Sequence, residues 1–254
     1  MTAAIRGLVL LISLGGCGDA PPVVLGESVS VASAELPADS RIRRSVGRGT
    51  IEYLKGPNLS RALEEDPDFR AIQRAGDAEK IVRAFLERYA KAFVLERPAD
   101  ELSLRSVETD GRESTHVYFQ QQYSDLEIHG AELAVHLDAD NHVVFVMGRT
   151  FPTPTHLDLT PALSLQQASR SVAQELGIVG DGCEGCEGEL VLFAPGEEEL
   201  RPAYRFEVAQ GLAEAWVLFI DAQTGEVLQR FSTVQSEQRG LNFESMPRAR
   251  RVEE

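Results

Sequence analysis

The chain has 254 residues, and its 40 acidic side chains outnumber the 25 basic ones, giving a formal net charge of −15 at pH 7. An acidic protein repels phosphate backbones and anionic head groups, which argues against nucleic acid as a partner. Even without a short N-terminal leader, the chain is long enough for one large or two small domains with buried cores.

The N-terminal segment, residues 1–16, has the layout of a secretory signal peptide. Arg6 precedes a short apolar run that ends at Leu14, and this run is too short to span a bilayer. The next residues, Gly15-Gly16-Cys17, complete a pattern that resembles the lipobox of bacterial lipoproteins. The resemblance implies that Cys17 is acylated and anchors the chain to a membrane of the bacterial cell envelope, facing the periplasm or the exterior. The alternative is cleavage elsewhere, which leaves Cys17 an ordinary residue.

Residues 17–49 are expected to form a tether, because prolines and small residues occur there without a sustained period. A first module is expected at residues 50–150. From the N-cap Asp77, apolar side chains recur every four residues as far as Phe93 and define one face of a helix. Beyond Pro98 the period changes to two, which predicts four strands. They lie near Leu102–Glu108, Thr115–Tyr123, Ala131–Leu137 and Val143–Gly148.

A second module is expected at residues 157–235, after a linker that contains Pro152 and Pro154. Ser164 and Gln167 form a capping-box pattern that begins a helix, and Gly177 ends it. Four further strands are predicted near Leu190–Phe193, Tyr204–Val208, Ala215–Ile220 and Glu226–Phe231. Residues 236–254 have few apolar side chains and are expected to form a mobile tail.

The order of elements predicts an α+β fold with two modules. In each, one amphipathic helix packs on one face of an antiparallel β-meander, and the opposite face of the sheet remains available. Cys183 and Cys186 lie between the second helix and its first strand. Outside the cytosol such a pair is expected to form a small structural disulfide, since no second pair or nearby histidine completes a zinc site.

The chain carries no recognisable catalytic or metal-binding motif. None of its five histidines is followed by glutamate, so the His-Glu-x-x-His zinc motif is absent. Asp138, Asp140 and Asn141 resemble the start of a calcium loop, but Val143 stands where that loop needs glycine, which favours a hairpin turn. We therefore expect a non-enzymatic chain without metal or cofactor, and an enzyme of unrecognised type is the alternative.

Residues 121–138, which read QQYSDLEIHGAELAVHLD, resemble the central motif of the fungalysin/thermolysin propeptide (FTP) domain. Gln121, Tyr123, Gly130 and Glu132 carry the resemblance, and we expect their role to be architectural. A turn at Ser124-Asp125 and a bulge or close approach at Gly130 are expected within it.

A second resemblance lies further along the chain. Residues 200–208 and 216–228 resemble the PepSY domain, which follows the FTP domain in these propeptides. Asp221 and Gly225 lie in a tight turn, where Asp221 bonds the backbone and Gly225 supplies a positive φ.

Both resemblances imply a propeptide-like protein. In the family these domains precede a zinc protease domain, assist its folding and block its active site. No protease motif follows them in the 254 residues, so the resemblance implies inhibition or folding assistance of a thermolysin-like zinc metalloprotease in trans. Two alternatives are an envelope lipoprotein that binds another partner and the propeptide fragment of an interrupted metalloprotease gene.

Overall fold

The computed structural model describes residues 36–180, 182–183, 186–196, 199–210 and 214–233. The fold is α+β, as the sequence predicts, and its strands are mostly antiparallel. The expected signal peptide, Cys17 and the expected tail at 236–254 lie outside the described residues. Within the described ranges, no helix has both the length and the apolar character needed to cross a membrane.

Four helices precede the first long strand. They are α1 (Pro67–Ala75), α2 (Ala78–Arg88), α3 (Ala90–Phe93) and α4 (Pro98–Glu101). The Asp77 side chain caps α2 by accepting from the Lys80 backbone N–H, as the sequence predicts. The apolar repeat that begins at Ile81 and ends at Phe93 is buried throughout. Pro98 is the first residue of α4, a position where a helix does not need the backbone N–H that proline lacks.

Six strands form the N-terminal sheet region, in the order β1-β2-β6-β5-β4-β3. They are β1 (Arg41–Arg44), β2 (Ile51–Lys55), β3 (Leu102–Thr109), β4 (Thr115–Tyr123), β5 (Leu126–Leu137) and β6 (Val143–Gly148). The sequence predicts the last four but neither β1 nor β2. In particular, β1 lies inside the stretch expected to be a tether. The sequence does not predict this strand because its four residues include three arginines and show no apolar alternation.

The C-terminal sheet region follows a fifth helix, α5 (Leu165–Leu176). The capping box predicted at Ser164 and Gln167 is present, and Gly177 ends the helix with a φ of 66°. Four strands then form the meander β7-β8-β9-β10. They are β7 (Glu187–Phe193), β8 (Arg201–Gln210), β9 (Glu214–Asp221) and β10 (Val227–Ser232).

Separate apolar clusters lie under the two sets of helices. One packs α2 and α3 against β4, β5 and β6, and the other packs α5 against β8 and β9. A third cluster, centred on Ile128, Phe151 and Leu192, lies between them and is called the junction cluster below. There β5 pairs with β7 in parallel through Ile128 and Leu192. The ten strands therefore form one continuous sheet.

Candidate binding surface and the propeptide motif

The hairpin of β4 and β5 closes through a two-residue turn. Tyr123 pairs with Leu126, and the two residues between them, Ser124 and Asp125, have φ values of 48° and 66°. Two consecutive positive φ angles define the type I′ turn that matches the twist of paired strands. This is where the sequence predicts a turn.

A large bulge interrupts the hairpin just beyond that turn. Gln122 pairs with Glu127 and Gln120 pairs with Glu132, so Gln121 alone stands opposite residues 128–131. Gly130 lies in this bulge with a φ of 70°, and a Cβ there would have no close neighbour. Of the two roles the sequence allows for Gly130, the structure shows the bulge.

Two buried glutamines form hydrogen bonds with the backbone in and near the bulge. The Gln120 amide nitrogen lies 2.7 Å from the Ile128 carbonyl and 3.1 Å from the Ala131 carbonyl. The Gln121 side chain donates to the Phe151 carbonyl and accepts from the Phe151 N–H, each at 2.8 Å. Buried backbone groups need such partners, so the geometry gives both amides a structural role.

The close backbone approach in this region occurs at Gly148. A Cβ at Gly148 would lie 2.1 Å from the Glu132 carbonyl oxygen, which also accepts from the Arg149 N–H at 2.9 Å. The Glu132 side chain is exposed. The sequence gives Gly148 no role beyond ending a strand, since contact between β6 and the bulged part of β5 is a tertiary feature.

Asp221 and Gly225 form the turn between β9 and β10. The Asp221 carboxylate accepts from the N–H groups of Gln223 and Thr224 at 2.8 and 3.0 Å. Gly225 has a φ of 79° and donates to the Asp221 carbonyl. These bonds are internal to the turn, so they account for both residues without a ligand.

The turn at Asp138, Asp140 and Asn141 is a hairpin. The Asp138 carboxylate accepts from the N–H groups of Asp140 and His142, and Asn141 has a φ of 63°. Among the described residues, no three histidine, cysteine or acidic side chains converge as metal ligands. Cys183 and Cys186 are bonded as a disulfide whose Cα atoms are 5.5 Å apart, and they pack at the edge of the cluster under α5.

Within the part of the chain that the structure describes, the helices pack on one face of the N-terminal sheet region, and we call the opposite face the open face. Its side chains alternate along the strands with those of the buried cluster. An apolar row crosses four strands, because Tyr118 pairs with Ala134, Ala134 with Met147 and Met147 with Tyr53. Met147 is 47% exposed. The row borders a depression of about 480 Å³ that Glu132 also lines.

A second row beside the apolar one contains two histidines. His116 pairs with His136, and His136 with Phe145. The two imidazoles contact each other through their Nδ1 atoms, and His136 stacks on Phe145 with ring centroids 5.0 Å apart. Burial, followed by the neighbouring His116, holds the pKa of His136 below its usual value.

Charged side chains surround the open face. Arg43 lies over the Tyr53 ring at 5.9 Å and pairs with Glu52, while Arg105 pairs with Glu127 at 3.3 Å. An apolar centre with a polar rim is the usual anatomy of a protein-binding surface. The sequence predicts that the face of the sheet opposite the helix remains available, but it does not predict which residues form the rows, because they come from strands that are far apart along the chain.

Residues 100–150, which span α4 to the end of β6 and contain the bulged hairpin, match the family model described as the Fungalysin/Thermolysin Propeptide Motif. This segment is a fungalysin/thermolysin propeptide motif. The sequence resemblance at residues 121–138 is thereby confirmed.

The curated relatives of this chain include proteins named bacillolysin, thermolysin and neutral protease B. Bacillolysin of Brevibacillus brevis is 28% identical over 168 residues, which cover 61% of this chain and 31% of that protein. Thermolysin of Alicyclobacillus acidocaldarius subsp. acidocaldarius is 29% identical over 167 residues, covering 61% and 30%. The chain thus spans about a third of the length of the curated relatives it matches.

A solved structure, the Bacillus megaterium YpeB C-terminal domain, aligns with 62% of this chain and 64% of its own. Its sequence identity is 16% and its TM-score is 0.34.

Proposed function

We propose that this chain is a non-enzymatic, propeptide-like binding module that inhibits a thermolysin-like zinc metalloprotease in trans, assists its folding, or both. The propeptide motif at residues 100–150 is the observation that carries this proposal. The similarity to bacillolysin and thermolysin indicates the class to which the proposed partner protease belongs. We further propose that the C-terminal sheet region acts as a PepSY-like domain and that Cys17 is the lipid anchor to the bacterial envelope.

The open face is the proposed contact surface. Tyr118, Ala134, Met147 and Tyr53 form its apolar centre, which a partner surface would cover, and the Arg43 and Glu127 ion pairs lie at the rim. The motif residues Gln121 and Gly130 act indirectly, since they hold the bulged hairpin that presents this face.

Purified full chain should slow a thermolysin-like protease or raise its yield on refolding from denaturant. The protease to use is one recovered from the envelope fraction with the full chain as bait. A chain that changes neither the initial rate nor the refolding yield of that protease contradicts the proposal. Recovery of a different class of protein would favour the alternative, an envelope lipoprotein with another partner.

Met147→Glu should weaken binding to the protease at least tenfold, or by about 1.4 kcal/mol. Met147 is the exposed centre of the apolar row, and a carboxylate there would be desolvated by the partner. Titration calorimetry of the purified pair measures the change.

Val179→Glu is the matched control, because Val179 is fully exposed and lies just beyond α5, away from the open face. It should alter the dissociation constant less than twofold. Equal weakening by both variants would show that the open face is not the contact surface.

A further inference from the structure

Strand β5 carries two half-buried histidines, one within the bulge and one beyond it. His129 lies at the junction between the two sheet regions, with its ring centroid 4.6 Å from that of Phe219 and 6.0 Å from that of Phe193. His136 lies on the open face, in contact with His116. A charged imidazole is poorly accommodated at either place.

The surroundings of His129 disfavour its protonated form. Burial against the phenylalanines is the largest effect, and the positive charges of Arg205 and Arg149 act in the same direction. The carboxylates of Glu189 and Glu132 oppose them, but the pKa of His129 still lies below its usual value. At neutral pH the ring therefore remains uncharged and packs as an aromatic side chain.

The contact between His116 and His136 holds one proton and excludes a second. A hydrogen bond between two Nδ1 atoms needs one protonated donor and one unprotonated acceptor. The Asp110 carboxylate lies 3.4 Å from the other nitrogen of His116, which places the ring proton there and leaves its Nδ1 as the acceptor. His136 is then the donor, and its outer nitrogen is the atom that takes an added proton, which makes the His136 ring cationic beside His116.

Other charged groups near this pair lie at the edges of its row. Glu108 on β3 lies opposite His116 in the strand register. Lys55 on β2 lies opposite Phe145, and Phe145 lies between Lys55 and His136. Asp138 follows β5 but is engaged by the backbone of its own turn and by His142. None of these groups is hydrogen-bonded to His136, whose outer nitrogen is buried without a partner among the described residues.

We propose that β5 is an acid-sensitive element, in which protonation of His129 and His136 loosens the junction and the open face together. Strand β5 is suited to this role because it pairs with β4 and β6 on the open face and with β7 at the junction. Charging its two histidines acts on both sheet regions at once. Release of a protease in mildly acidic surroundings would follow, and this consequence alone rests on the proposed function.

The direction of the pH effect follows from linkage. In the unfolded chain both histidines bind protons with a pKa of about 6.5, whereas in the folded chain their pKa values are lower. Their contribution to stability is therefore complete above about pH 6.5 and is lost as the pH falls below it. Each histidine changes the unfolding constant by up to about tenfold per pH unit. Asp77, Asp110 and Asp158 have lowered pKa values and respond only in more acidic solution.

The test is urea unfolding of the full chain at pH 7.5 and pH 5.5. The wild-type unfolding constant should rise by about 10- to 100-fold between them. In the double variant His129→Phe/His136→Phe, which keeps the ring packing, the rise should be less than about threefold. His156→Gln, at an exposed position between the sheet regions, should behave like the wild type. An equal pH effect in the wild type and the double variant overturns the proposal.

Imidazole NMR titration of the unmodified chain provides a measurement that does not depend on any variant folding. His129 and His136 should titrate below the ordinary histidine pKa of about 6.5, and titration at or above that value overturns the proposal. Protease inhibition is then compared at the same two pH values. Loss of stability in acid, with neither inhibition nor a higher refolding yield at either pH, would support the acid-sensitive strand and reject the proposed function.

Discussion

Gln121 illustrates how one buried amide fixes the path of the chain between the two sheet regions. Its side chain is 1% exposed and forms two hydrogen bonds with the backbone of Phe151, thirty residues away. The guanidinium groups of Arg48 and Arg149 lie over the Phe151 ring, 5.1 and 5.0 Å from its centroid. The motif residue therefore holds the first residue after the propeptide motif in place.

Gln121→Leu should lower the free energy of unfolding by about 2 to 4 kcal/mol, because it leaves a buried N–H and a buried carbonyl without partners. Urea unfolding at pH 7.5 measures this loss. Gln122→Leu is the control, since the Gln122 amide donates to the Asp100 carbonyl at an exposed site, and its effect should stay below about 1 kcal/mol. Similar losses in the two variants would contradict a special role for Gln121.

At the scale of single elements, local chemistry accounts for the helices better than for the edges of the sheet. Helices α2 and α5 begin at Asp77 and Ser164 with the side-chain caps that their sequences predict. Strand β1 has no comparable local signal, and it is held by pairing with β2. Likewise, Gly148 is needed because β6 must approach β5 closely.

Gly148→Ala should lower the free energy of unfolding by about 2 to 3 kcal/mol. The Cβ of the new alanine would clash with backbone atoms of Glu132 and Leu133, at 2.1 and 2.9 Å. Backbone atoms cannot move away from the clash as the end of a flexible side chain can. Thermal or urea unfolding checks the value. In Gly111→Ala the new methyl meets nothing within 4 Å, and the change should stay within about 0.5 kcal/mol. A neutral Gly148→Ala would disprove the close approach.

At the scale of the whole molecule, the junction cluster couples the two sheet regions. Leu192 is fully buried, and it is the β7 residue that pairs with Ile128 of β5. The sequence predicts two modules separated by a linker, and their boundaries stay a prediction. The structure adds a continuous sheet and a shared apolar cluster between them.

Leu192→Ala should lower stability by about 2 to 5 kcal/mol and divide unfolding into two transitions, since it weakens the contact that joins the sheet regions. Tryptophan fluorescence, which reports Trp216 on β9, and far-UV circular dichroism should then give different midpoints. Val172→Ala, which removes buried volume under α5, should destabilise the chain while the two probes still agree. One shared transition in Leu192→Ala would contradict coupling through the junction.

The sequence by itself determined the α+β class, the two capped helices, eight of the ten strands and the propeptide motif. The helices and strands depend on interactions between residues close in the chain, namely caps, apolar periods and turn residues, whereas the propeptide motif is indicated by resemblance to a family. The tertiary structure alone decided the hydrogen bonds that Gln120 and Gln121 form at the bulge, the approach at Gly148, the His116 and His136 contact and the junction cluster. These features join residues from about ten to more than sixty positions apart, and no local pattern specifies which distant groups will satisfy a buried amide or share a proton.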